Sequence, residues 1–180
     1  MSSADFLLEL RCEEIPARMQ AGARRDLSRL FADELKQAGL AGGALEAFST
    51  PRRLALIVRD LPLQTQARSE EIKGPRSSAP PQALEGFLRK TGLKREQLEQ
   101  RDGVFYAAVE TPGQATLELL GPMIERIVRA FPWPKSMRWG DASTSTASLR
   151  WVRPLHGILA LLGEEIVPVA IDGIEAGATT

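Results

Sequence analysis

FLLELRCEEIPARMQAGARRDLSRLFADELKQAG, residues 6–39, sets the architecture. Phe6 to Leu10 is an apolar run of strand length. Pro16 suits the first turn of a helix, where its missing N–H costs nothing. Met19, Ala23, Leu27, Leu30, Phe31, Leu35 and Ala38 then recur at helical spacing, with Arg24, Arg25, Asp26, Asp33, Glu34 and Lys36 on the remaining faces. Gly39 is placed to end the helix as a left-handed cap. A strand leading into an amphipathic helix over 17–38 is the expected start of the fold.

The same reading extends along the chain. Leu45–Thr50 and Arg53–Leu61 bracket Pro51, and the second run is apolar on both faces, as in an inner strand. Ser69–Lys73 reads as a strand ended by Gly74-Pro75, and residues 76–82 (RSSAPPQ) as a linker or exposed loop. Ala83–Thr91 and Lys94–Gln100 read as short helices around Gly92. Asp102-Gly103 is a turn leading into a strand over Val104–Glu110. Leu117, Leu120, Ile124, Ile127, Val128 and Phe131 mark a second long helix, with a kink or late start at Gly121-Pro122. Leu155–Leu162 and Ile166–Ile171, separated by 163–165, read as a hairpin.

The expected class is α+β, with mostly antiparallel sheets, two longer helices and short helices. The organisation reads as residues 1–76 followed by 77–180, within one module or as two domains. Leu27, Leu30, Leu35, Leu54, Leu56, Leu120, Ile127, Leu159 and Leu161 are the expected core. No Gly-rich fingerprint sits between a strand and a helix, which excludes a dinucleotide-binding fold.

Of 180 residues, 43% are hydrophobic and 26% charged, the balance of a soluble globular chain. Basic and acidic residues number 23 each, so the formal net charge is zero. Binding RNA through the whole surface normally needs a basic chain, so RNA contact must be a local patch. No apolar run approaches the ~18 residues of a membrane span. The N-terminus is acidic where a signal peptide is basic, and cytoplasm is the expected location. The single cysteine, Cys12, excludes an internal disulfide and reads as a small buried residue.

All three tryptophans and the only histidine lie in one stretch, WPKSMRWG (133–140) and WVRPLHGILALLG (151–163). Lys135, Arg138, Arg150 and Arg153 are interleaved with them, and the sole acid between Trp133 and His156 is Asp141. Cations pair with phosphates and indoles offer stacking faces, so Lys135, Arg138, Trp139, Arg150 and Arg153 are candidates for a nucleic-acid or protein interface. The plainer reading makes the tryptophans core and the cations a solvated rim. If residues 133–139 are extended, Trp133, Lys135, Met137 and Trp139 share one face and Arg138 the other. Residues 143–148 (STSTAS) read as a mobile loop.

Thr50-Pro51-Arg52-Arg53 is a rigid turn carrying two guanidiniums. Arg52 and Arg53 are candidates for phosphate or carboxylate recognition, or for a salt bridge to another part of the fold, such as Glu13 or Glu14. Glu13-Glu14 read more simply as favourable charge at a helix N-terminus than as acid/base catalysts. His156 reads as a hydrogen-bonded structural histidine, and without a second His or Cys partner no zinc site is expected. No GxxxxGK[ST], GxSxG or HExxH pattern occurs, and no catalytic or metal residue is assigned.

Four ordered stretches resemble the β subunit of bacterial heterotetrameric glycyl-tRNA synthetase: LLELRCEEIPARM (7–19), STPRRLAL (49–56), IKGP with ALEGFLRKTGL (72–75, 83–93), and PKSMRWG with WVRPLHGILALLG. The family often has Gly-Thr before the Glu-Glu pair, where this chain has Arg11-Cys12. The resemblance implies an N-terminal piece of a much longer subunit, and the ending at Thr180 without a terminal element agrees. It implies an α₂β₂ enzyme that attaches glycine to tRNA(Gly). There the α subunit activates glycine with ATP and Mg²⁺, and β contributes tRNA binding. This piece would bind no cofactor and would scaffold contacts to the α subunit, later β domains or tRNA(Gly), with no membrane partner. The alternatives are a free-standing RNA-binding module, against which the neutral charge counts, and a small hydrolase using Glu13, Glu14 and His156, against which the missing nucleophile motif counts.

Overall fold

The computed structural model describes residues 2–179. It is α+β, and the chain divides into two compact units. Among the described residues, one unit joins 2–65 with 114–179, and the other is the intervening 66–113. The division expected after residue 76 falls at the end of a strand inside the second unit.

The first unit begins with β1 (Ser3–Cys12) and α1 (Ala17–Ala38), followed by β2 (Leu45–Thr50) and β3 (Arg53–Pro62). The second unit holds β4 (Arg68–Arg76), α2 (Pro81–Thr91), β5 (Leu98–Arg101) and β6 (Val104–Thr111). The chain returns to the first unit with α3 (Thr116–Arg129), β7 (Leu155–Leu162), β8 (Glu165–Ile166), β9 (Ala170–Ile171) and β10 (Ile174–Gly177).

Seven strands of the first unit form one sheet, ordered β2-β3-β1-β7-β10-β9 with β8 paired to β7. β1 lies at its centre, antiparallel to β3 and to β7. The registers line up Val58–Phe6–Leu162, Leu56–Leu8–Ala160 and Leu54–Leu10–Ile158 as rows across three strands, all buried. That face receives α1 through Met19, Ala23, Leu27, Phe31 and Leu35, and Phe31 stacks on Phe6 with ring centroids 5.3 Å apart. α3 adds Leu120, Met123, Ile124, Ile127 and Val128 to the same core. Arg126 of α3 reaches Glu34 of α1 with Nε at 3.1 Å and Nη2 at 2.5 Å from its carboxylate oxygens.

The expected helix over 17–38 is present, and Gly39 caps it at φ 72°. Leu30 and Leu161, expected in the core, are half-buried. Leu30 flanks the stripe of α1, and Leu161 faces the other side of β7, opposite Leu7. That second sheet face also carries Ile57, which is why β3 is apolar in both parities.

Two local expectations are corrected, and the alternative of a kink or a late start at Gly121-Pro122 is narrowed. α3 starts at Thr116, ahead of Gly121-Pro122, so there is no late start. Gly121 is required by packing, since a Cβ there would lie 2.2 Å from the Pro168 carbonyl oxygen. Lys94–Gln100 is a short 3₁₀ turn (Arg95–Gln97) followed by β5, which pairs with β6 across Asp102-Gly103. Both turn residues have positive φ, 49° and 72°, the backbone of a two-residue hairpin turn. The expected hairpin after β7 is cut short at Ile166. Val167 still donates to the Ala160 carbonyl at 2.9 Å, but Pro168 has no N–H to continue the ladder. Ala170–Ile171 instead pairs with β10, which runs parallel to β7.

In the second unit, β4-β6-β5 is an antiparallel sheet. α2 buries Phe87, whose ring fills the space above Gly74, where a Cβ would lie 2.6 Å from Cε1. Arg101 pairs with Glu71 and Glu99 and lies 5.7 Å from the Tyr106 ring centroid.

Candidate functional site

Three of the four motif stretches meet at one corner of the first unit. The segment after β1, the β2–β3 turn and the entry to β7 are tied together by main-chain hydrogen bonds. Cys12 N–H donates to the Arg52 carbonyl at 3.0 Å, Ile15 N–H to the Pro51 carbonyl at 2.5 Å, and Glu13 N–H to the Pro154 carbonyl at 3.0 Å. Backbone, not side chains, fixes the turn that carries Arg52 and Arg53. The Arg52 N–H adds a 3.3 Å bond to Thr50 Oγ1.

A cleft of about 540 Å³ opens at this corner, lined by Arg11, Arg52, Arg53, Thr50, Glu13 and His156, with Cys12 beneath. Arg11 and Arg53 are direct antiparallel partners on β1 and β3. On its other side Arg11 pairs with Gly157 of β7, where a Cβ would sit 3.1 Å from Arg11 Nη2. The glycine therefore makes room for the Arg11 guanidinium over β7. The β1–β7 register slips between Arg11 and Cys12, whose partners are Gly157 and Leu155. His156 is the extra residue of that bulge, and its exposed ring places Nε2 3.0 Å from Glu13 Oε1.

Two carboxylates of the corner have partners. Glu9 Oε2 lies 3.5 Å from Arg53 Nε, and Glu13 faces His156. Among the described residues, neither Arg11 nor Arg52 is in salt-bridge contact with a carboxylate. The expected salt bridge from this turn to another part of the fold is present as the Arg53–Glu9 pair, with Glu9 and not Glu13 or Glu14 as the acceptor. Glu13 and Glu14 do not cap α1: its N-cap is Pro16, and its first turn holds no acid. Burial pushes the Cys12 thiol up to about 11, with Trp151 partly opposing and Glu13 reinforcing the shift. At neutral pH it is a protonated, buried thiol.

The basic–aromatic stretch separates into core and rim. Trp133 and Trp151 are buried and form a cluster with Phe131, their own centroids 5.0 Å apart at 79°. Trp133 therefore does not share an exposed face with Met137 and Lys135. Trp139 is half-buried against the core. Lys135, Arg150 and Arg153 are exposed. Met137 and Trp151 exchange main-chain hydrogen bonds of 2.8 and 3.1 Å, an isolated antiparallel bridge that sets Arg138 beside Arg150 by position. Arg138 Nη2 donates to the Thr146 carbonyl at 2.9 Å. The Ser/Thr stretch opens on a 3₁₀ turn, Asp141–Thr144, and Ser148 Oγ donates to the Ser145 carbonyl at 2.8 Å. Leu149 N–H donates to Asp172 Oδ2 at 2.6 Å. Arg153 precedes Pro154 in the chain and is not among the residues lining the cleft.

Arg11 was missed as a candidate, because in the sequence it is only a departure from the Gly-Thr pattern. Period-2 alternation was the available signal: Arg11 shares a parity with Glu9 and Leu7, opposite to the buried Leu8, Leu10 and Cys12. Among the described residues, no group of three or more His, Cys, Asp or Glu side chains is placed to hold a metal ion, and no helix is long and apolar enough to cross a membrane.

An α+β unit with a cationic corner built from three motif segments is what the geometry defines. Residues 6–180 match the family described as glycyl-tRNA synthetase beta subunit, and the chain belongs to that family. It is 55% identical over 184 residues to the glycine–tRNA ligase beta subunit of Paracoccus denitrificans (strain Pd 1222), covering 98% of this chain and 26% of that protein. It is 56% identical over 172 residues to that of Phenylobacterium zucineum (strain HLK1), covering 96% and 25%. With that of Rhodospirillum centenum (strain ATCC 51521 / SW) the identity is 51% over 170 residues, covering 92% and 23%. The chain thus spans about a quarter of the length of the curated relatives it matches.

Proposed function

We propose that this chain is a non-catalytic, N-terminal module of a glycine–tRNA ligase β subunit. Its role is to scaffold contacts between the rest of β, the α subunit and tRNA(Gly) in a cytoplasmic α₂β₂ enzyme. ATP and Mg²⁺ serve that enzyme through α. The observation that carries the reading is the corner where residues 11–16, 50–53 and 152–157 are pinned together by backbone hydrogen bonds around a set of guanidiniums. A pinned, charged corner on a rigid sheet suits recognition: the groups are positioned before the partner arrives, so less ordering cost falls on binding.

The test is glycylation of tRNA by full-length β carrying Arg52→Ala and Arg53→Ala, reconstituted with α. A fall in kcat/KM for tRNA of about tenfold or more is expected, as for loss of charge-assisted contacts. Wild-type glycylation by the double variant overturns the assignment of this corner.

A further inference from the structure

We infer that the cleft formed by Arg11, Arg52 and Arg53 is a binding site for the sugar–phosphate backbone of RNA. The inference rests on the reading of the chain as a tRNA ligase module. Arg11 and Arg53 face each other as cross-strand partners, an arrangement that costs stability when the charges are alike. Glu9 already offsets it at Arg53, and a phosphate at Arg11 supplies the counter-charge that no described carboxylate gives that side chain. Gly157 holds open the space for the Arg11 guanidinium. Arg52 enters from a turn whose Arg52 carbonyl is tied to Cys12 at the end of β1 and whose Pro51 carbonyl is tied to Ile15 just after it.

The charge count favours phosphates over a protein carboxylate. Arg53 is paired with Glu9, whereas Arg11 and Arg52 are in salt-bridge contact with no carboxylate among the described residues, so two guanidinium forks stay open to an anion. A single Asp or Glu of a protein partner brings one charge. Successive phosphates bring several, each with oxygens that match the guanidinium fork. The indoles offer no stacking platform at the corner, since Trp133 and Trp151 are buried, so the site reads charge and not base identity.

The experiment uses the assembled enzyme with full-length β, and measures Kd for tRNA across a salt series. Arg11→Gln is expected to weaken binding about tenfold near ~0.1 M salt and to flatten the slope of log Kd against log salt by about one. Arg11→Lys keeps the charge and loses the fork. It is expected to keep the wild-type slope while still binding more weakly. Thermal unfolding and sedimentation of each variant accompany the binding data. If Arg11→Gln binds tRNA with unchanged Kd and slope, the inference is overturned. If it instead loses association of α with β while free β keeps its tRNA affinity, the cleft docks protein and the inference is equally overturned. Failure of the wild-type enzyme to bind any tRNA overturns the underlying reading itself.

Discussion

His156 Nε2 and Glu13 Oε1 lie 3.0 Å apart, across 143 positions of sequence. The contact joins the bulge at the start of β7 to the segment between β1 and α1, at the mouth of the arginine cleft. It holds two of the three motif segments together by side chains, where the Glu13 N–H bond to Pro154 already holds them by main chain. Both side chains are about half-exposed, 51% and 52%, so the pair steers geometry more than stability. His156→Ala is expected to shift unfolding by less than about 1 kcal/mol in denaturant titration, and a loss above about 2 kcal/mol contradicts this placement.

The core makes a sharper demand. Leu27 is fully buried on the α1 stripe and Leu30 only half-buried beside it. Leu27→Ala is expected to cost about 2–5 kcal/mol and Leu30→Ala clearly less, about 1 kcal/mol, by urea unfolding. Equal costs contradict the placement of the helix face.

Gly121 tests the approach of the segment after β8 to α3. A methyl there meets the Pro168 carbonyl oxygen, so Gly121→Ala is expected to destabilise by about 1–3 kcal/mol despite its higher helix propensity. A stabilised variant in the same assay contradicts the close approach.

Asp172 carries an acid-dependent share of stability. Its carboxyl is held below the ordinary 3.8, first by the Leu149 N–H and then by Arg129, against a desolvation that opposes them. A carboxyl depressed in the folded state binds protons more readily in the unfolded one. Its contribution is therefore complete above about pH 4 and is lost as pH falls through the folded value. Asp172→Asn is expected to be less stable than wild type at pH 7 by about 1 kcal/mol, with the gap closing on acidification below pH 4. A gap that is constant from pH 7 to pH 2 contradicts the assignment.

Elements built from local pattern were legible in the sequence. The stripe from Met19 to Leu35, the Gly39 cap and the alternation in Leu54, Leu56 and Val58 depend on near neighbours. Features set by distant partners were not. β10 is a four-residue strand that exists because β7 offers a parallel edge, and residues 66–113 form an inserted unit because β4 pairs with β6. The same holds at the site. Arg52 and Arg53 announced themselves through the adjacent proline. Arg11 acquires meaning only from its register with Arg53 and Gly157, more than 40 and 140 positions away. Trp133 and Trp151 looked like stacking surfaces, but their mutual ring contact with Phe131 places them in the core.

Thr50 lines the arginine cleft without contributing a charge to it, which makes it the position from which to ask what occupies the cleft. A benzophenone-bearing residue placed at Thr50 of full-length β, in the assembled enzyme with bound tRNA(Gly), reports its nearest neighbour on irradiation. The account predicts a β–tRNA adduct that disappears at high salt. Adducts formed only with the α subunit or another part of β, at any salt concentration, contradict it.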